Sequence, residues 1–161
     1  MPRTKPHTSH SFTVRPPFAV SGQTIGLLGG SFNPAHEAHR LISRIAYERL
    51  GLDRVWWIVS PGNPLKDKSQ LASLDERIGS ARLVAPDAFI EITSFESALP
   101  TTFTAATVSF LLARYPGVRF VWLMGADNLA QIPRWERWTE IFAAVPIAVF
   151  DRATYSFRAL A

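Results

Sequence analysis

The chain predicts an α/β protein built on a doubly wound parallel sheet. Short apolar runs bounded by turn residues alternate with amphipathic stretches of helical period, the pattern left by buried parallel strands and their covering helices. Two glycine turns, Gly29-Gly30 after the first apolar run and Gly125-Ala126-Asp127 after the fourth, fall where a strand order of 3-2-1-4-5 would reverse. That reversal opens a crevice at the carboxyl ends of the strands, and ligands bind in it.

The first strand is expected at about 24–28. His36 to Leu50 reads as an amphipathic helix with Ala38, Leu41, Ile42, Ile45, Ala46 and Leu50 on one face, stopped by Gly51. Val55 to Val59 is a compact apolar run, a buried strand, and Ser60 to Ser69 is a loop by its turn residues. A helix over 74–84 and a short strand over 89–92 follow. A second clear helix is expected over 103–115, with Ala105, Val108, Leu111, Leu112 and Tyr115 in phase. A strand over 119–124 ends at Gly125, a short helix lies near 127–132, a further helix covers 135–143, and a fifth strand covers 145–150.

Composition narrows the class. A chain of 161 residues, 47% hydrophobic and 19% charged, is an ordinary single α/β domain with a core. With no cysteine, disulfides, thiolate metal sites and a cysteine nucleophile are excluded, which fits a reducing cytoplasm. No apolar run approaches a membrane span, and residues 1–22, rich in Pro, Ser, Thr and basic side chains, lack the apolar core of a signal peptide. They are expected to form a disordered basic extension, with the folded domain over 23–161. Net charge is +4 and the pI about 10.0, yet Lys and Arg do not cluster and no aromatic-basic module accompanies them. A nucleic-acid role is therefore not expected, whereas a bound polyanionic nucleotide accounts for a mild positive excess.

The chemistry concentrates in Ile25-Gly-Leu-Leu-Gly-Gly-Ser-Phe-Asn-Pro-Ala-His-Glu-Ala-His39. Gly29-Gly30 allows backbone amides to approach a ligand. Pro34 prepares a helix start, whose free N–H groups and positive dipole end attract anions. His36 and His39, three residues apart, can point together at that anion. Alone, a His-x-x-His pair would equally be surface histidines or half of a metal site, but nothing nearby completes a ligand set.

The segment resembles the Gly-x-[Ser/Thr]-Phe-[Asp/Asn]-Pro-x-His-x-x-His signature of the HxGH-type nucleotidylyltransferases, and most of all that of the bacterial nicotinate-nucleotide adenylyltransferases. Ala38 replaces the usual glycine, one small residue for another. The resemblance runs to about Phe150 and implies a Rossmann-like nucleotidylyltransferase fold. It also implies adenylyl transfer from ATP, with Mg²⁺ carried on the triphosphate, to nicotinate mononucleotide, giving deamido-NAD and pyrophosphate. By the same resemblance His36 and His39 bind the ATP phosphates and stabilise the leaving pyrophosphate, helped by Gly29, Gly30, Ser31 and Phe32. Lys66 takes the place of a basic phosphate ligand in the loop after the second strand.

Two further segments carry the match. Leu99-Pro-Thr-Thr-Phe-Thr104 is similar to the family's Pro-Ser-Tyr-Thr, with Phe103 in place of Tyr, and implies that Thr104 helps hold the pyridine carboxylate. Gly125-Ala-Asp127 followed by Pro133-Arg-Trp135 implies that Gly125 and Asp127 contact the adenosine side and that Trp135 stacks on the pyridine ring. Each has an ordinary alternative: Thr104 or Asp127 as a helix N-cap, Trp135 as a core residue. A second family signature, Ser-Ser-Thr-x-x-Arg, is absent, and Tyr155-Ser-Phe-Arg158 is only a superficial echo of it. The domain is thus expected to be C-terminally incomplete. The rival readings are a sister enzyme with another acceptor, nicotinamide mononucleotide or phosphopantetheine, and a non-catalytic nucleotide-binding module.

Overall fold

In the computed structural model, residues 15–62 and 68–151 are described. Five strands make one parallel sheet: β1 (Thr24–Gly30), β2 (Arg54–Val59), β3 (Ile90–Thr93), β4 (Arg119–Gly125) and β5 (Ile147–Phe150), in the order β3-β2-β1-β4-β5. All four pairings are parallel, with Leu27 opposite Trp56 on one side and Trp122 on the other. The central strands are buried on both faces, which is why they read as continuous apolar runs.

The helices divide between the two faces. Helices α1 (Glu37–Leu50) and α2 (Leu74–Val84) cover one layer, where Ile42, Ala46 and Ala81 pack on Val55, Trp57, Val59 and Leu123. Helices α3 (Thr104–Arg114) and α5 (Trp138–Ala144) cover the other, where Val108, Leu111 and Ile141 pack on Ile25, Leu27, Trp56, Ile58 and Trp122. Along β2 the period of two sends Trp56 to one layer and Trp57 to the other. Crossovers after β1 and β2 lie on one face and those after β3 and β4 on the other, so the sheet is doubly wound and its switch point falls between β1 and β4.

Boundaries shift where caps decide them. His36 has extended backbone, φ −146°, and is the N-cap of α1 rather than its first residue. Helix α1 ends where Gly51 adopts the left-handed conformation, φ 61°, which a side chain at that position would strain. Leu50, expected on the buried face, is 46% exposed, while Ser43 is fully buried there instead. The stretch expected as one short helix is α4 (Ala126–Leu129) followed by a 3-10 turn at Ile132–Arg134, and α5 starts three residues later than expected. Asp87 ties the layers of one face together: Arg40 Nε donates to its Oδ2 at 2.7 Å and Arg44 Nη2 lies 3.5 Å from its Oδ1. These guanidinium hydrogen bonds hold the Asp87 carboxyl below its usual range. Within the expected extension, residues 15–22 run along the turn after α3, where Tyr115 Oη donates to Pro17 O at 2.8 Å and Gly22 N to Gly117 O at 2.8 Å. No helix among the described residues is long and apolar enough to cross a membrane.

Candidate active site

At the carboxyl end of β1 the backbone turns through Ser31 and Phe32 into α1. Phe32 sits at φ 48°, a left-handed conformation uncommon for a bulky residue, and the Asn33–Pro34 peptide is cis. The ring of Phe32 is 2% exposed, stacks on Trp57 at 5.0 Å and supports His39 at 4.6 Å. Phe32 is therefore the floor of the turn, buried as a whole residue and outside the lining of the cavity described below. His36 and His39 come together as the spacing predicts, with ring centroids 3.9 Å apart. His36 N–H donates to His39 Nδ1 at 3.1 Å. An Nδ1 that accepts places the neutral ring's proton on Nε2, so His39 is set as a donor on its other side.

Gly29 is small for a different reason from the expected one. A Cβ there would lie 2.7 Å from Trp122 Cη2, so the glycine makes room for an indole, which in turn lines the cavity described below. At Gly30 a Cβ would meet only ordinary contacts, the nearest Phe32 Cε2 at 3.7 Å.

Two supports of this turn have no signal in the sequence. Arg77, on α2, is 2% exposed and reaches the ends of both β1 and β2. It donates to Ser31 O (2.8 Å), Ser60 O (2.6 Å), Pro61 O (3.3 Å) and Ala72 O (2.9 Å). Burial pushes its pKa down. Asn33 uses both ends of its amide on the neighbouring segment, donating to Gln70 O at 3.0 Å and accepting from Ala72 N at 3.1 Å. An arginine in a polar-looking helix and an asparagine in a turn are everyday residues in a sequence; only the fold brings them to these carbonyls.

A cavity of about 510 Å³ opens beside the switch point. Gly29, Gly30 and Ser31 from the end of β1 line it, as do Leu123 and Met124 from β4, Thr104 and Trp135. Thus residues expected for the phosphates and for the acceptor share one space, separated by more than 70 positions in the chain. His36, His39, Gly125 and Asp127 are not part of its lining. Thr104 is the first residue of α3, not its cap; Phe103 is the N-cap, and it makes no side-chain cap bond. Asp127 is likewise not a cap: Gly125 holds that position, and Asp127 is exposed in the first turn of α4. Trp135 is half-buried, packed against the core and facing the cavity, so its two readings hold together. Glu96, in a 3-10 turn after β3 and 5% exposed, also lines the cavity; nothing in the sequence singled it out. Lys66 and the Tyr155–Arg158 segment lie outside the described residues. A larger open groove of about 810 Å³, between residues 15–21 and the turn after α3, lies by the strands' amino ends, where this fold class does not place its ligands.

The chain matches the Cytidylyltransferase-like family model over residues 27–160. A Bradyrhizobium sp. (strain ORS 278) protein named "Probable nicotinate-nucleotide adenylyltransferase" is 60% identical over 136 residues, 84% of this chain and 71% of the relative. A Parvibaculum lavamentivorans protein of the same name is 51% identical over 138 residues, 86% of this chain and 69% of the relative. Among solved structures, Plasmodium falciparum nicotinic acid mononucleotide adenylyltransferase complexed with NaAD has the same fold. It superposes with a TM-score of 0.73 at 18% identity, over 81% of this chain and 65% of that one.

Proposed function

The chain belongs to the nicotinate-nucleotide adenylyltransferase family, and from that premise we propose the task of each site residue in adenylyl transfer from ATP to nicotinate mononucleotide. The products are deamido-NAD and pyrophosphate. An oxygen of the acceptor's phosphate attacks the α-phosphorus in line, the bond to the β-phosphate oxygen breaks, and pyrophosphate leaves with the electron pair. No covalent intermediate with the protein is needed, so catalysis is positioning and charge stabilisation.

The observation that carries this reading is the meeting of the β1 turn, the end of β4, Thr104 and Trp135 around one cavity, with the paired histidines at the start of the helix that the same β1 turn leads into. The first turn of α1 and the imidazole of His39 are suited to the leaving pyrophosphate, whose charge grows in the transition state. Gly29, Gly30 and Ser31 take the same phosphates above the buried Phe32 that shapes their turn, with Lys66 as a flexible point charge from the following loop. Gly125 and Asp127 serve the adenosine side. Trp135 offers an aromatic face to a flat cationic ring, and Thr104 a hydroxyl near its carboxylate. Mg²⁺ enters with the triphosphate: among the described residues no three of His, Cys, Asp and Glu come together to hold a metal. Bound there, it would neutralise phosphate charge.

A coupled pyrophosphate-release assay tests the reading. ATP with nicotinate mononucleotide should give the fastest release, ahead of nicotinamide mononucleotide and phosphopantetheine. A preference for either of those overturns the acceptor; ATP binding with no release from any acceptor favours a nucleotide-binding module.

A further inference from the structure

Glu96 is a buried carboxyl group to which the scheme above gives no task. It lines the cavity shared by Thr104 and Trp135, and its Oε1 stands 3.1 Å from Thr107 Oγ1. Among the described residues no cation pairs with it and its second oxygen has no hydrogen-bond partner. The sealed polar atoms without a partner among those residues are Trp56 Nε1 and Glu91 Oε2. Glu96 Oε2 is not one of them, so it keeps its access to the cavity.

Thr107 defines what that oxygen can do. Its hydroxyl has a single proton and two acceptors in reach, Glu96 Oε1 at 3.1 Å and Phe103 O at 3.4 Å. An uncharged Glu96 donates from Oε1 to Thr107, whose own proton turns to Phe103 O, the carbonyl of the α3 N-cap. Oε2 is then a carbonyl acceptor facing the cavity. A charged Glu96 draws the Thr107 proton to itself and sets a negative charge beside a ligand that is already an anion.

We propose that Glu96 is a specificity-determining residue of the acceptor site, its free carboxyl oxygen accepting a hydrogen bond from a sugar hydroxyl of the bound mononucleotide. This rests on the acceptor being a pyridine mononucleotide. At neutral pH the ribose hydroxyls are the neutral donors that nicotinate mononucleotide offers, since its phosphate and ring carboxylate are acceptors and its ring nitrogen is quaternary. The contact would select the nucleotide over the free ring. Burial supports the uncharged form, pushing the carboxyl up to about 7 against the opposing hydrogen bond from Thr107. Among the described residues, the charged side chains of the surrounding elements are Arg54 at the start of β2, Glu91 on β3, Arg114 in the last turn of α3, and Arg134 and Glu136 along the cavity wall. None of them contributes to the shift.

The test titrates two probes into wild type, Glu96→Gln and Glu96→Ala between pH 6 and 9 by calorimetry. One is nicotinate mononucleotide; the other is N-methylnicotinate, which keeps the ring and its carboxylate but lacks the sugar. Wild-type affinity for the mononucleotide should fall by about tenfold or more above pH 7. Glu96→Gln should match wild type at pH 6 and stay flat beyond it, because its amide donates to Thr107 while its carbonyl faces the cavity. Glu96→Ala should bind the mononucleotide about tenfold more weakly at pH 6, with N-methylnicotinate and ATP unchanged. The proposal is overturned if both variants bind like wild type, or if the alanine variant weakens both probes alike, which would make Glu96 only a brace for α3. Wild type that does not bind the mononucleotide overturns the acceptor assignment and this contact with it. Binding without adenylyl transfer leaves the contact standing and overturns only the enzymatic reading.

Discussion

His39 is held from three sides: by His36 N–H on Nδ1, by the ring of Phe32 below, and by Trp57 at 5.8 Å. A group so fixed loses little freedom when charge builds beside it, which is how preorganised donors act. His39→Ala should therefore lower kcat by about 10²–10³, while stability falls only by the cap hydrogen bond and ring contacts of His39, about 1 kcal/mol. Pyrophosphate release and thermal denaturation of the same preparation check both halves; near-normal turnover would sink the role. Trp135→Ala should raise KM for nicotinate mononucleotide by about tenfold and leave the KM for ATP within twofold. Equal weakening of both would make Trp135 a core residue and nothing more. The meeting of the two histidines was legible from their spacing, and the shared cavity of Thr104 and Trp135 from the family-like segments that contain them. Arg77, Asn33 and Glu96 were not, since their partners are backbone carbonyls, an amide and a hydroxyl supplied by other segments of the fold, which no local pattern encodes.

At the scale of elements, the strands and long helices were legible within about two residues, because burial on both faces and a 3.6 period are strong signals. The short segments after β4 were not. Their ends are set by caps such as Gly125 and by Arg137 at φ 55°, neither of which leaves a periodic trace. What couples elements is likewise hidden. Arg77 joins α2 to the ends of β1 and β2 through three carbonyls and ties the segment before its own helix through a fourth, Ala72 O. Arg77→Ala would leave those acceptors without their donor, at a cost of about 3 kcal/mol or more, and Arg77→Lys would recover only part because an ammonium lacks the planar fork. Urea denaturation should show both losses, in that order of size. Turnover should fall further than stability alone explains, since Ser31 O is one of the four. On α1, Trp57 Nε1 donates to Ser43 Oγ at 2.7 Å, and that hydroxyl donates to His39 O at 2.8 Å. Ser43→Ala strands the buried indole N–H and should lower stability by about 1–3 kcal/mol. An unchanged urea midpoint would show that water replaces the hydroxyl.

For the whole molecule, two carboxyl groups pull the stability profile in opposite directions with pH. Asp87 is held below its usual value by Arg40 and Arg44, so the fold binds its proton less readily than the unfolded chain does. Its contribution is present above about pH 4 and is lost as pH falls through the depressed folded value. Glu96 is the reverse case. Raised from 4.5 to about 7, it is protonated in the fold while the unfolded chain is already ionised, so stability declines as pH rises from about 4.5 through 7. Together they place the maximum well on the acidic side of neutrality, at about pH 4–5, where Asp87 is already ionised and the Glu96 decline has barely begun. Glu96→Gln removes the alkaline decline without removing the hydrogen bond to Thr107. At pH 8 this variant should be more stable than wild type by about 2–3 kcal/mol, and at pH 5 nearly equal to it. Asp87→Asn should show the opposite pattern, weaker than wild type by about 1 kcal/mol at pH 7 and approaching it as pH falls through the depressed folded value of Asp87. Melting curves of the three proteins from pH 3 to 9 decide the matter: parallel wild-type and Glu96→Gln profiles would mean that Glu96 stays charged in the fold, and a cation outside the described residues would have to be sought beside it.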